Sequence, residues 1–298
     1  MTPAARLLSL AGLIACLFAS PAVAQEADSP VPDAIRRCAG EGFRIDGEVV
    51  CLRATITTDM ADAVEVHEGP ISAIVLDTPG GDMASSLRIG RRLFSDKALI
   101  IVDGECSSSC ANYLAPLGHR KLHVTEGSFI AMHGVPPRDL FGFIDARRRA
   151  SGKSVEEAVA DPTLFFSWQS EYPAHVQTVV LPEVQYFADV QKNEAYATRF
   201  QEVMRTISMR PDYNCTITGP ALLIVGPQMM RQFGVNSQNV WWEADRRAFI
   251  ERLPPSMRDY VLVIDSDEHP SWIPGRGFLT PSDCTAQVAS GETLDSPG

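Results

Sequence analysis

The sequence predicts an α/β fold. Three observations carry that expectation: short apolar runs alternate with helix-period segments, glycine- and serine-rich turns close those runs, and 45% apolar against 21% charged residues supports a substantial core. Ile71 to Leu76 is a short apolar run and reads as a buried strand, ended by the tight turn Asp77-Thr78-Pro79-Gly80-Gly81. From Met83 to Phe94 the apolar residues Leu87, Ile89, Leu93 and Phe94 fall at helical spacing. Leu99 to Val102 is a second buried strand, Ser107 to Leu117 opens a second helix, and Ser128 to Met132 is a further strand. Strand, helix, strand, helix, strand within about 65 residues predicts parallel pairing.

Upstream, residues 25–42 read as a flexible leader in which Ser29-Pro30-Val31-Pro32 is a breaker cluster. Phe43 to Thr57 reads as a hairpin closed by Asp46-Gly47. The main domain is expected over residues 43–240, with a mostly helical insertion at about 139–210. Glu183 to Met209 is the longest helix candidate there, and Ala221 to Phe233 is a later one, ended by Gly234. Residues 241–298 form a C-terminal extension holding a strand candidate at Arg258–Ile264.

The first 24 residues have the layout of a secretory signal: Arg6, the apolar run Leu7 to Ala19, then the small-residue site Ala22-Val23-Ala24. The expected location is periplasmic or secreted. Leu13-Ile14-Ala15-Cys16 also fits a lipoprotein box, which would anchor the chain through Cys16. Seven cysteines less Cys16 leave six, an even number that predicts disulfides in an oxidising compartment. Several pairings are open; grouping by region gives Cys38–Cys51, Cys106–Cys110 and Cys215–Cys284. The net charge of −11, with no basic block, argues against nucleic acid or anionic lipid as a partner.

Three segments carry candidate chemistry. Thr78-Pro79-Gly80-Gly81-Asp82 lies between a strand and a helix, where glycines turn the backbone sharply and leave N–H groups facing a site. Ser107-Ser108-Ser109-Cys110-Ala111-Asn112 follows a buried strand and precedes a helix, and His133 leaves the strand Phe129 to Met132. A serine nucleophile needs a base for its proton and preorganised donors for the oxyanion, and these segments hold all three. Each has a plainer reading: an ordinary turn, a helix N-cap, a packed histidine.

Together, Ile74-Val75-Leu76-Asp77-Thr78-Pro79-Gly80-Gly81, Cys106 to Asn112 and Ser128 to His133 resemble the proteolytic subunit of the Clp protease. Ile224 to Gln228 and Phe233 to Asn236 resemble that family's closing segment. The resemblance covers about 90 residues. It implies a crotonase-like β-superhelix with flanking helices, here with an added helical segment, and peptide-bond hydrolysis. It implies Ser109 as nucleophile, His133 as general base, and backbone N–H groups of Gly81 or Asp82 and of Cys110 as oxyanion donors. The family's catalytic aspartate falls where this chain has Pro220-Ala221-Leu222, so Asp212 is the expected third member, with Asn214 also in reach. If Asp212 does not reach His133, a Ser-His dyad or an altered triad remains. The resemblance implies no cofactor or metal, a peptide or unfolded-protein substrate, and a homo-oligomer. Outside the cytoplasm no ATPase partner is expected.

Three rivals stand beside this reading. A Ser-Lys pair on the same fold would draw on Lys121, and His119, His123 and His133 could share a metal. Arg120 to Thr125, however, reads as extended, which separates positions four apart by roughly 13 Å. The third rival keeps the fold without turnover, as a binding or scaffold protein, with Trp241-Trp242 as a partner patch if exposed.

Overall fold

A computed structural model describes residues 29–120, 122–190, 222–232, 235, 238–243, 245–258, 261–264 and 270–272. The chain is mixed α/β, as expected. The Asp46-Gly47 turn closes an antiparallel hairpin of β1 (Gly42–Asp46) and β2 (Val49–Arg53). Helix α2 (Thr58–Val66) carries the chain to β3 (Ala73–Thr78), and α3 (Met83–Asp96) carries it to β4 (Leu99–Ser107). Strands β2, β3 and β4 run parallel. Strands β5 (Leu122–Val124) and β6 (Phe129–Met132) both join β4 in parallel. Strands β7 (Leu222–Val225), β8 (Val261–Ile264) and β9 (Pro270–Trp272) extend the sheet to nine strands among the described residues.

β3 reads as an unbroken apolar run because both of its faces are covered. Ile74 and Leu76 pack with Leu87, Ile89 and Leu93 of α3, whereas Ala73 and Val75 pack with Val31 and Ala34. The latter two belong to α1 (Pro30–Arg37), which replaces the flexible leader expected there. Pro30 and Pro32 sit in its first turn, where a missing N–H costs nothing, and the Cys38–Cys51 disulfide ties its end to β2.

Residues 221–233 also differ from expectation. Leu222 to Val225 form a strand held between β6 and β8, and helix among the described residues there is confined to Pro227–Gln232. Four consecutive apolar residues needing cover on two faces fit a central strand better than an amphipathic helix. The C-terminal segment joins the same sheet through β8. Phe249, Ile250, Leu253 and Met257 pack there with Ala131, Ile224 and Val263, and Trp241 and Trp242 lie partly buried against them. The insertion begins with helices α4 (Leu140–Ala150), α5 (Val155–Ala160), α6 (Pro162–His175) and α7 (Leu181–Asp189). No helix among the described residues is long and apolar enough to cross a membrane.

One irregularity positions everything that follows. Leu76 pairs with Val102 but Thr78 pairs with Cys106, so β4 bulges over residues 103–105. Gly104 adopts φ +131°, and a Cβ there would lie 2.3 Å from Asp77 Oδ1. Asp77 accepts from the Glu105 N–H at 2.9 Å and pairs with Arg53 at 3.1 Å, while Arg53 also pairs with Asp103. Ser128 Oγ accepts from the Gly104 N–H at 2.7 Å. Before the bulge β4 pairs with β5; after it, Glu105, Cys106 and Ser107 pair with β6. The end of β4 thus comes to lie beside the end of β6.

Candidate active site

The three segments singled out in the sequence meet at those strand ends. Ser107 is the last residue of β4, Thr78 the last of β3, and His133 follows β6. Within the serine triplet, Ser108 is the residue that faces the histidine: its Oγ lies 2.9 Å from His133 Nε2. Ser109, the expected nucleophile, turns away. It is 5% exposed, and its Oγ donates to the Gly81 carbonyl at 2.9 Å. Ser107 is buried as well, so Ser108 is the only member of the triplet that reaches both solvent and the imidazole.

Ser108 has φ +54°, in the left-handed region that a serine seldom occupies. Its N–H donates to Ala131 O and its carbonyl accepts from the Asn112 N–H, both at 2.9 Å. The Cys106–Cys110 disulfide spans the turn with a Cα separation of 5.3 Å, and both cysteines are fully buried. Gly80, at φ +93°, presses against the same turn: a Cβ there would lie 2.6 Å from Ser107 O, 2.7 Å from Ser108 Cβ and 2.9 Å from Ser109 N. Only a glycine admits that approach.

The backbone donors follow from trans peptide geometry. Gly80 O accepts from the Ile56 N–H at 2.8 Å, so the Gly81 N–H, opposed to it across the peptide, points away from Ile56. The Asp82 N–H donates to Ile56 O at 3.0 Å, which removes Asp82 from the expected oxyanion donors and turns Gly81 O toward Ser109. Gly81 N–H therefore faces the serine turn. Ser108 O points along the helix to Asn112 N, so the Ser109 N–H points back out of the helix start. With Ser108 beside the histidine, the N–H one residue on belongs to Ser109 rather than to Cys110. The Asp82 carboxylate instead caps α3, accepting from Ser85 N at 2.7 Å.

His133 keeps part of its ring in water, yet the protein around it lowers its pKa below the ordinary histidine value. The backbone of Gly134 and of His133 itself acts against that shift. Asn112 Nδ2 lies 3.4 Å from Nδ1 and donates to Gly134 O at 2.6 Å. The loop after His133 is held by the helical insertion. His175 Nε2 meets Pro137 O at 2.8 Å, Tyr172 Oη donates to Arg138 O at 2.7 Å, and the buried Glu183 receives both Arg138 and Tyr113.

Asp212, Asn214, Cys215, Cys284, Cys16 and Lys121 lie outside the described residues, as does the signal-like segment. His123 sits on β5, in the short extended segment that the sequence suggested. The chain matches no family model, no curated protein and no solved structure.

Proposed function

We propose that the protein is a serine hydrolase acting on peptide bonds of peptides or unfolded proteins, with Ser108 as nucleophile and His133 as general base. The observation that carries this is the 2.9 Å contact between Ser108 Oγ and a histidine whose pKa is lowered, on a serine held in the left-handed region. A neutral imidazole at neutral pH is the form that accepts a proton. Ser108 Oγ attacks the scissile carbonyl carbon as its proton passes to His133 Nε2. The N–H groups of Gly81 and Ser109 receive the oxyanion, and Nε2 returns the proton to the leaving amine. Water, deprotonated by the same Nε2, then releases the acyl group.

On this reading the fold is a crotonase-like β-superhelix, supported by the change of partner from β5 to β6 along β4. The two disulfides support a periplasmic or secreted location, with no ATPase partner. The test is labelling of the oxidised protein by a fluorophosphonate, in which an Oγ–P bond forms and fluoride leaves. Ser108→Ala and His133→Ala should abolish labelling while Ser109→Ala retains it. Loss only in Ser109→Ala would move the nucleophile to Ser109. No labelling of folded wild type would leave the scaffold reading in its place.

A further inference from the structure

We propose that Asn112 is the positioning residue of this site, tying the Ser108 backbone to the Gly134 carbonyl and setting its amide beside Nδ1 of His133. The inference rests on the Ser108–His133 reading and deepens it. Asn112 lies one helical turn beyond Ser108 and is completely buried. Its own N–H donates to Ser108 O at 2.9 Å, and its side-chain Nδ2 donates to Gly134 O at 2.6 Å. A single residue thereby ties the backbone of the serine to the backbone beside the base.

The orientation of the amide follows from these contacts. Turned over, it would set Oδ1 2.6 Å from another carbonyl oxygen, so Nδ2 must face Gly134. That choice leaves Asn112 Oδ1 buried with no hydrogen-bond partner, an arrangement that proteins seldom keep without a reason. Fixing the Gly134 carbonyl supplies one. Among the described residues, burial and the backbone of Gly134 and of His133 itself act on the ring's titration. By fixing Gly134, the residue after His133, Asn112 holds the imidazole where Nε2 meets Ser108 Oγ at 2.9 Å.

The chemistry predicts an unusual response to substitution. Asn112→Ala frees the Gly134 carbonyl and leaves the ring without a fixed partner. Asn112→Asp is nearly the same size but presents a carboxylate about 3.4 Å from Nδ1, able to take the ring proton directly. The experiment is fluorophosphonate labelling of wild type, Asn112→Ala and Asn112→Asp across pH. Beside it, the His133 ring is titrated by NMR, its signal assigned with His133→Gln. Asn112→Ala should slow labelling by up to roughly 100-fold. Asn112→Asp should recover most of the rate and move both the labelling midpoint and the ring titration upward by about one unit or more. A His133 titration that does not move in Asn112→Asp overturns the proposal, as does wild-type labelling in Asn112→Ala. If wild type itself does not label, the hydrolase reading fails, while the ring titration in Asn112→Asp still decides whether Asn112 holds the base.

Discussion

Gly80→Ala tests whether the approach of the Pro-Gly-Gly turn to the serine turn builds the site. Two costs follow from the geometry. The residue sits at φ +93°, where an L side chain is strained by about 1–3 kcal/mol. The new methyl would also meet Ser107 O at 2.6 Å, Ser108 Cβ at 2.7 Å and Ser109 N at 2.9 Å, none of them the far end of a flexible side chain. Overpacking of that kind costs about 1–3 kcal/mol. The stiffer unfolded chain returns about 0.4–1 kcal/mol, leaving a net loss of roughly 1–5 kcal/mol. For a chain of this size, that corresponds to a fall in Tm of roughly 2–20 °C. Gly127 is the matched control: its φ is +81°, but nothing lies within 4 Å of a Cβ there. Gly127→Ala should therefore cost only the backbone strain, a net of roughly 0–3 kcal/mol, and leave labelling intact. Thermal unfolding and fluorophosphonate labelling of both variants separate backbone strain from the clash. Equal melting temperatures, with labelling retained in Gly80→Ala, would refute a turn-on-turn site.

Two further predictions concern pH and the disulfides. His133 has a lowered pKa through burial, so its neutral, proton-accepting form persists to lower pH than in an ordinary histidine. Labelling should rise to a midpoint below pH 6.5 and stay level above it, and a midpoint at or above that value would contradict the assignment. The same shift makes the unfolded chain the better proton acceptor, so His133's contribution to stability is lost as pH falls from its unfolded value through its lowered folded one. Both described disulfides are buried but close loops of different length, with sequence separations of 13 and 4. Replacing Cys38 and Cys51 by alanine should cost about 3 kcal/mol, and replacing Cys106 and Cys110 about 2 kcal/mol, by loop entropy. The opposite order of melting temperatures would show that the shorter bridge relieves strain in the serine turn as well.

The sequence was legible where burial is coded by a single period. β3 shows openly as a continuous apolar run and α3 as a period-3.6 pattern, and the expected strand at 71–76 and helix at 83–94 differ from the observed elements by at most two residues at either end. β4 is legible only to Val102, because Asp103-Gly104-Glu105 looks like the end of an apolar run. The strand continues because Arg53, Thr125 and Ser128 answer the bulge's polar groups from three other places in the chain. That bulge also sets which serine meets the histidine. Three consecutive serines are indistinguishable by composition, and only the register of β4 on β6, with Ser107 opposite Ala131, puts Ser108 beside His133. Asn112 left one usable signal: it lies four residues after Ser108, on the same face of a helix that starts there.

An ordinary helix N-cap would explain a serine at this place, and the backbone argues against it. A capping serine has extended dihedrals and gives its oxygen to an N–H of the first turn. Ser109, the residue before the helical stretch Cys110–Leu114, has φ −59° and ψ −30° and makes no capping bond. Ser108 lies in the left-handed region, and its oxygen goes to an imidazole 25 residues away in sequence. Strain of about 1–3 kcal/mol persists only where the surroundings over-determine it. Here they include the bond to Ala131 O, the bond from Asn112 N, the Cys106–Cys110 bridge and the backbone of Gly80. Each of these restraints fixes the backbone and leaves the Ser108 hydroxyl free to meet His133. That is the arrangement a nucleophile needs and a helix cap has no use for.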